Sequence, residues 1–150
     1  MPKCIIDGKE LEFTPGEMII QVADRAGIEI PRFCYHPGLT VVAQCRMCAV
    51  EVEKMPKIQT ACSTPAGDGM VVNTKSEKVK RMQAYVMEFL LINPPLDCPI
   101  CDEAGECELQ NYSFGYGAPD NRYTEMRRTY LDLDMGPVIK KNMNRCIHCT

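Results

Sequence analysis

The chain has 150 residues, a net charge of −3 at pH 7 and 10 cysteines, far above the ordinary share of that residue. Its length allows one ordinary domain or two small ones. Acidic and basic residues are interspersed, so no basic face indicates nucleic-acid binding. No apolar run approaches the ~20 residues that cross a membrane, so membrane contact is expected only through partners. The cysteines are therefore the feature to explain.

A secreted disulfide scaffold is the first explanation for so many cysteines. Against it, Met1-Pro2-Lys3-Cys4 runs straight into an apparent strand, without the apolar region of a signal peptide. The C-x2-C pairs in the chain also suit metal binding better than a disulfide framework. The sequence therefore predicts reduced thiols in a cytoplasmic setting.

Five short strands are predicted in the first half of the chain. Apolar-rich runs at 3–6 and 10–13 flank Asp7-Gly8, a dipeptide typical of a tight hairpin turn. Clean alternation at 49–53 indicates a strand with one buried face. Two further strands are predicted at 57–61 and 70–73.

One helix is predicted between the hairpin and the later strands. Thr14, Pro15 and Glu17 stand in the order of an N-cap, a first-turn proline and a capping-box acid. Gly27 is expected to end that helix in a left-handed conformation. A hairpin followed by one helix across it is how a β-grasp fold begins, so residues 1–75 are predicted to form an α+β domain of this kind.

A second helix is predicted from Ser76 to about Ile92. Ser76 is a plausible N-cap, and Asn93-Pro94-Pro95 ends the helix because proline cannot continue the hydrogen-bond ladder. Apolar residues at helical spacing form the expected core stripe, namely Val79, Met82, Val86, Phe89 and Leu90. Residues 96–123 are expected to be loop-rich, which gives a second unit at 76–123 and a third at 124–150.

The first cysteine group has the spacing C-x10-C-x2-C-x13-C and consists of Cys34, Cys45, Cys48 and Cys62. Four thiolates complete a [2Fe-2S] centre, with three ligands in one loop and one from a distant strand end. Structural zinc sites usually pair two short cysteine knuckles, whereas only Cys45 and Cys48 form one here. The spacing favours iron–sulfur, and a zinc-stapled interaction module with no redox role remains the alternative.

Two further cysteine groups follow, Cys98, Cys101 and Cys107, then Cys146 and Cys149. Three groups that each contain a C-x2-C pair indicate a relay of metal centres, which predicts electron transfer. Cys4 is expected to be a buried apolar residue of the first strand. His36 and His148 are interpreted as loop residues near the groups and not as ligands. No catalytic triad, phosphate-binding loop or dinucleotide fingerprint occurs, so no complete active site is expected in this chain.

Three stretches together resemble one known family. They read PRFCYHPGLTVVAQCRMCAVEVE, PLDCPICDEAGECELQN and GPVIKKNMNRCIHCT. The chain resembles the N-terminal iron–sulfur region of the large, G-type iron–sulfur subunits of respiratory complex I (NADH-quinone oxidoreductase). All three stretches stand in the family's order, and the resemblance covers essentially the whole chain.

The resemblance implies a ligand set for each centre. Cys34, Cys45, Cys48 and Cys62 would bind [2Fe-2S], and Cys98, Cys101 and Cys107 would bind [4Fe-4S] in a segment whose fourth family ligand is a histidine. That position is Pro94 here, which cannot ligate iron. Asp97, solvent or a partner residue could replace it, or the centre could become [3Fe-4S] or labile. Cys146 and Cys149 would begin a further [4Fe-4S] site.

The resemblance also implies a function and partners. It predicts an electron-transfer subunit of NADH-quinone oxidoreductase that takes electrons from a flavin-bearing, NADH-oxidising neighbour and passes them toward quinone. The iron–sulfur diaphorase subunit of an NAD-linked hydrogenase or formate dehydrogenase is the alternative. The expected location is the cytoplasmic face of the inner membrane, reached through other peripheral-arm subunits. Because the third motif is incomplete at Thr150, the chain is expected to be a fragment of a longer polypeptide.

Overall fold

The computed structural model describes residues 1–149. The first half of the chain forms a five-stranded mixed sheet. The sheet has the order β2-β1-β5-β3-β4. Its strands are β1 (Lys3–Ile6), β2 (Lys9–Glu12), β3 (Ala49–Val52), β4 (Gln59–Thr60) and β5 (Val71–Asn73). β1 pairs antiparallel with β2 and parallel with β5, so that Ile5 lies beside Val71. The five predicted strands are all present, although β4 is shorter than the predicted 57–61.

The hairpin of β1 and β2 turns at Asp7-Gly8, as predicted. Asp7 has φ +48° and Gly8 has φ +81°, the left-handed pair that a two-residue hairpin turn requires. The Asp7 carboxylate also accepts hydrogen bonds from the backbone N–H (2.8 Å) and hydroxyl (2.6 Å) of Thr74. One turn residue therefore closes the hairpin and fixes the end of β5.

The predicted start of the first helix is wrong. Thr14, Pro15, Gly16 and Glu17 form a turn in which the Glu17 N–H donates to the Thr14 carbonyl over 2.9 Å. Gly16 has φ +92°, which is the geometry of a type II turn with Pro-Gly at its centre and is incompatible with a helix. Helix α1 runs instead over Ile19–Arg25.

Tertiary contacts explain why α1 starts at Ile19. The N–H groups of Ile19 and Ile20 donate to the carbonyls of Thr64 (3.0 Å) and Ala61 (3.1 Å), so the segment around Cys62 caps the helix. The other end is as predicted, since Gly27 has φ +68° and follows the last turn. Helix α1 is thus bound at its start to the segment that carries Cys62.

The main core lies between the sheet and α1. It contains Cys4, which is 1% exposed in β1 and confirms the prediction for that residue. The other fully enclosed members are apolar residues of the sheet, α1 and the following loop, among them Ile6, Ile19, Ile20, Val22, Ile30, Val50 and Val72. The α+β fold class is therefore confirmed.

Helix α2 spans Glu77–Leu90, and Ser76 caps it as predicted, since its hydroxyl accepts from the Val79 N–H over 3.3 Å. Val79, Val86 and Met87 are buried, in agreement with an apolar stripe. Phe89 does not belong to that core, because its side chain is 72% exposed. It lies at the margin of the stripe and lines a surface cavity.

A third helix, α3 (Glu108–Tyr116), lies in the segment predicted to be loop-rich. The sequence did contain a signal for this helix, because the spacing of Leu109, Tyr112 and Tyr116 places them on one helical face. These three residues pack with Phe33 against a second core under α2. Gly115 within the segment and Gly117 at its end obscured the pattern.

The loop after α3 is held to α2 by an ion pair. Arg122 donates to the Glu88 carboxylate at 2.5 to 3.0 Å through side chain and backbone, and its guanidinium lies 4.9 Å from the Tyr85 ring centroid. The side-chain hydrogen bond from Arg122 lowers the pKa of Glu88 to about 2.

A small hairpin follows, β6 (Leu133–Asp134) with β7 (Lys140–Lys141). Within residues 1–149, no helix combines the length and apolarity that a membrane span requires.

Two substitutions in α2 separate its surface from its core. Lys80 is exposed and pairs with Glu77 at 3.0 Å, so we expect Lys80→Ala to leave iron content and stability essentially unchanged. Met87 is fully buried, and Met87→Ala is expected to cost ~2–5 kcal/mol of unfolding free energy. Iron analysis and urea denaturation measure both. Loss of iron in Lys80→Ala would contradict a purely structural role for that face.

Candidate metal centres

The loop from Cys34 to Cys48 turns its backbone toward sulfur. Ala43 has φ +55° and Arg46 has φ +61°, so left-handed residues stand on both sides of Cys45. The Cys45 N–H donates to the Cys34 Sγ over 3.4 Å. Such N–H contacts stabilise a thiolate or a reduced cluster by placing positive dipole ends at the sulfur.

The four cysteines of the first group come together as two pairs. Cys34 interacts with Cys45, and Cys48 forms a sulfur–sulfur hydrogen bond with Cys62. Cys48 and Cys62 are 1% and 0% exposed, whereas Cys34 at the loop margin is only partly buried. Cys34 and Cys62, 28 positions apart in the sequence, thus lie close together, one on the loop and the other on the segment that caps α1.

The pKa values of Cys48 and Cys62 shift in opposite directions. The hydrogen bond to Cys62, together with burial, raises the pKa of Cys48 far above that of an ordinary thiol. The same hydrogen bond lowers the pKa of Cys62, against the opposing effects of burial and of the nearby Cys34 and Cys45. Burial raises the pKa of Cys34. Binding of iron therefore has to displace protons from this site.

Two adjacent pairs of cysteines fit a binuclear centre, in which each iron takes two protein thiolates. The donor set and its division into pairs therefore fit a [2Fe-2S] cluster.

The sulfur loop is packed against the second core. Cys45 and Met47 lie with Val86 and Met87 of α2 in one buried cluster, which α3 also contacts. His36 lies outside that core, and its Nδ1 accepts from the Gly38 N–H over 3.1 Å. The helices after the sheet thus support the loop that carries three of the four cysteines.

The second cysteine group lines a cavity of about 620 Å³. Cys98 begins a short 3-10 turn and Cys107 stands at the N-cap position of α3, so two local turns bring this group to one cavity. Pro94, which is buried, and Cys149 line the same cavity. Three thiols of one group at a common cavity fit the chemistry of a [4Fe-4S] cluster, which takes thiolate ligands.

Asp97, a sequence-based candidate for the fourth donor, is held by a cation. Arg145 donates to its carboxylate at 2.6 and 3.4 Å, and this hydrogen bond lowers the pKa of Asp97. The sequence analysis did not predict that Arg145 contacts the second cysteine group. The position of this basic residue directly before Cys146 was the one feature of the sequence that could have suggested it. The ion pair joins the third cysteine group to the second.

The third group is divided between cavities. Cys146 and His148 line a cavity of about 420 Å³ together with Cys45 and Phe89. Cys149 instead lines the cavity of the second group. The third group therefore lies between the other two, with one cysteine toward each.

Two family models match the chain. Residues 3–77 match the 2Fe-2S iron-sulfur cluster binding domain. Residues 83–122 match the NADH-ubiquinone oxidoreductase-G iron-sulfur binding region. The first match contains all four cysteines of the first group and the second contains all three of the second group. These matches confirm the predicted [2Fe-2S] and [4Fe-4S] cofactors.

A solved structure shares the architecture of the chain. It is an NAD+-reducing [NiFe]-hydrogenase in the H2-reduced state, with a TM-score of 0.89 and 30% sequence identity. The match covers 99% of this chain and 62% of the hydrogenase chain.

Curated relatives are more similar in sequence. The G subunit of NADH-quinone oxidoreductase from Rickettsia bellii is 51% identical over 150 residues, which is 100% of this chain and 22% of the relative. The mitochondrial NADH dehydrogenase [ubiquinone] iron-sulfur protein 1 of Solanum tuberosum is 48% identical over 145 residues, 97% of this chain and 20% of the relative. The chain spans about a fifth of these relatives. It belongs to the 2Fe-2S iron–sulfur cluster binding domain family and is highly similar to the corresponding part of the G subunit of NADH-quinone oxidoreductase.

Proposed function

We propose that this chain relays electrons through iron–sulfur clusters within an NADH-quinone oxidoreductase. It would receive them from a flavin-bearing partner that oxidises NADH and pass them toward quinone. The observation that carries the proposal is the placement of the three cysteine groups. Cys45 and Cys146 line one cavity, while Cys149 lines another with Cys98, Cys101 and Cys107. Centres bound at neighbouring groups would form a continuous path.

The proposed ligands follow from the same placement. Cys34 and Cys45 would hold one iron of the [2Fe-2S] centre, and Cys48 with Cys62 the other. The [4Fe-4S] centre would use Cys98, Cys101 and Cys107. Cys146 and Cys149 would contribute to a further [4Fe-4S] centre. In this arrangement the clusters carry the electron, while the chain's own residues orient the thiolates, exclude water and aim N–H groups at sulfur.

The proposal extends to organisation and location. Residues 1–75 would form the [2Fe-2S] unit, 76–123 the [4Fe-4S] unit and 124–150 the start of a further cluster unit. The relatives are subunits of larger enzymes by name, which supports a place among other peripheral subunits. We propose that the chain works on the cytoplasmic side of the membrane and reaches it through those partners.

A diaphorase subunit of an NAD-linked hydrogenase is the second candidate. The structural match to an NAD+-reducing hydrogenase over 99% of the chain favours it. Purification of the complex that contains this chain would distinguish the two functions. Oxidation of NADH with a quinone supports the first, and reduction of NAD+ by hydrogen supports the second.

The redox function can be tested on the chain itself. Anaerobic reconstitution with iron and sulfide is expected to give a brown protein whose dithionite-reduced form shows a rhombic [2Fe-2S] EPR signal and a separate [4Fe-4S] signal. Quantified iron and sulfide check the cluster types. A colourless protein that binds zinc and gives neither signal would refute the proposal and support the zinc-stapled module.

A further inference from the structure

Cys34 is the least enclosed cysteine of the first group. It lies in the irregular segment between α1 and β3 and is partly exposed, whereas the other three cysteines of the group are buried. We propose that Arg32 is a positioning residue for Cys34 and acts through its paired hydrogen bonds to Asp24. The inference rests on the proposed function, because it presumes that Cys34 binds a [2Fe-2S] cluster. It names a residue outside the ligand set that determines how the cluster is held.

Arg32 is tied to helix α1 by two short hydrogen bonds. Its Nη1 and Nη2 atoms each donate to one carboxylate oxygen of Asp24 over 2.6 Å. In this bidentate geometry a planar guanidinium fixes direction as well as distance. The Arg32 side chain is 25% exposed and that of Asp24 is 39% exposed, so water screens the attraction of the charges and geometry is the main contribution of the pair. The backbone two residues before Cys34 is thereby held to α1.

A second contact of Arg32 reaches the residue directly after Cys34. The guanidinium carbon of Arg32 lies 5.6 Å from the centroid of the Tyr35 ring, within the ~6 Å of cation–π contacts. Tyr35 is buried and belongs to the main core between the sheet and α1. Arg32 therefore contacts both the helix and the ring that follows Cys34.

Phe33 packs the same segment into the other core. Its ring centroid lies 5.2 Å from that of Tyr112 in α3, in an edge-to-face arrangement. Phe33 and Cys34 both pack against the second core. The chain thus passes from the second core at Phe33 to the main core at Tyr35, and Cys34 stands at the crossing. A shift of this crossing would change the 3.4 Å contact between the Cys34 sulfur and the Cys45 N–H.

The pair of Arg32 and Asp24 supplies direction with little net charge, because its two charges cancel. A substitution that keeps the charge and removes the bidentate geometry therefore isolates the positioning effect. Arg32→Lys does this, since one ammonium cannot donate to two carboxylate oxygens in a single plane. Asp24→Asn keeps the shape of the acid but offers one acceptor oxygen in place of two.

The test uses the whole chain, reconstituted anaerobically, as unmodified protein and as Arg32→Lys and Asp24→Asn. A chelator is expected to remove iron from the [2Fe-2S] centre about tenfold faster in both variants, at the low end of the ~10–100-fold loss that such supporting residues typically cause in metal affinity. The reduced [2Fe-2S] EPR signal is expected to broaden or shift, because one ligand is held less uniformly. The [4Fe-4S] signal is expected to stay unchanged.

Arg25→Lys is the matched control on the same helix. Arg25 follows Asp24 in α1, and its partners are the carboxylate of Glu17 and the carbonyl of Glu12. This variant removes a comparable ion pair at a different place in the domain. It is expected to keep the iron release rate and the [2Fe-2S] signal of the unmodified chain.

Alkylation with iodoacetamide locates the change in the chain and does not depend on which metal is bound. In the metal-loaded chain, mass spectrometry is expected to find Cys34 alkylated about tenfold faster in Arg32→Lys than in the unmodified protein, with a smaller change at Cys62. If the chain bound zinc and no iron, the proposed function would fail, and this comparison would still decide the role of Arg32.

Three results would overturn the inference. One is equal metal release and equal Cys34 alkylation in Arg32→Lys and the unmodified chain. Another is an equal acceleration in Arg25→Lys, which would indicate a general loosening of α1. The third is an equal rise in alkylation at Cys34 and Cys62, which would indicate a loosening of the whole domain. If Arg32→Lys does not fold, Asp24→Asn decides by the same three comparisons, because it preserves the size of the side chain.

Discussion

Cys45→Ser is expected to abolish the rhombic EPR signal of the reduced [2Fe-2S] centre or to change it strongly. Cys45 is 8% exposed, its N–H contacts the Cys34 sulfur, and its side chain is paired with that of Cys34. A serine hydroxyl at this position is a poorer ligand because it is deprotonated much less readily than a thiol. Iron analysis and EPR of the dithionite-reduced protein measure the effect.

Cys4→Ser is the matched control, because Cys4 is as buried but lies in β1 within the main core. Burial of a hydroxyl there is expected to cost ~1–3 kcal/mol of stability without changing the EPR signal. If Cys45→Ser kept an unaltered signal, the proposed ligand set would be wrong. If Cys4→Ser removed the signal while the protein stayed folded, Cys4 would have to join that set.

Pro94→His is expected to slow the loss of iron from the second cluster on exposure to air. Pro94 is buried and lines the cavity with the three cysteines, so an imidazole at this position can supply the missing donor. The unmodified protein is expected to convert readily between [4Fe-4S] and [3Fe-4S] forms. The measurement is the rate at which the three-iron EPR signal appears after mild oxidation.

Pro95→His provides the control for Pro94→His. Pro95 is exposed, so the same imidazole one residue later is expected to give little protection. Equal protection by both variants would indicate an indirect effect on the loop. If the unmodified protein kept a stable four-iron centre in air, the predicted lability would be wrong and a fourth ligand would already exist.

Local sequence signals predicted the parts of the fold that depend on few neighbouring residues. Asp7-Gly8 forms the hairpin because its left-handed conformation is set by those two residues. Ser76 caps α2 and Gly27 ends α1 for similarly local reasons. The type of these elements could therefore be derived from the sequence alone.

The start of α1 could not be derived in this way. The pattern of Thr14, Pro15 and Glu17 fits a helix start, but Gly16 allows a competing turn. The donors of the first helical residues are satisfied by carbonyls of Ala61 and Thr64, which lie far along the chain. A contact between distant segments, and not the local pattern, selected the start of the helix.

The candidate metal-binding cysteines could be grouped from the sequence, while their surroundings could not be predicted. Spacing grouped Cys34, Cys45, Cys48 and Cys62 because one loop and one strand end suffice to bring them together. The ion pair of Arg145 with Asp97 joins residues 48 positions apart. Nothing in the sequence between them indicates that pairing, so the environment of the second group required the structure.

The parallel pairing of β1 with β5 has a consequence for synthesis of the chain. The β1–β2 hairpin can form as soon as it leaves the ribosome, but the other edge of β1 waits for Val71, the partner of Ile5. Pairings between distant residues form slowly because a long loop has to close first. Cys34, Cys45, Cys48 and Cys62 all emerge within that interval, so all four thiols are synthesised before β5 enters the sheet between β1 and β3.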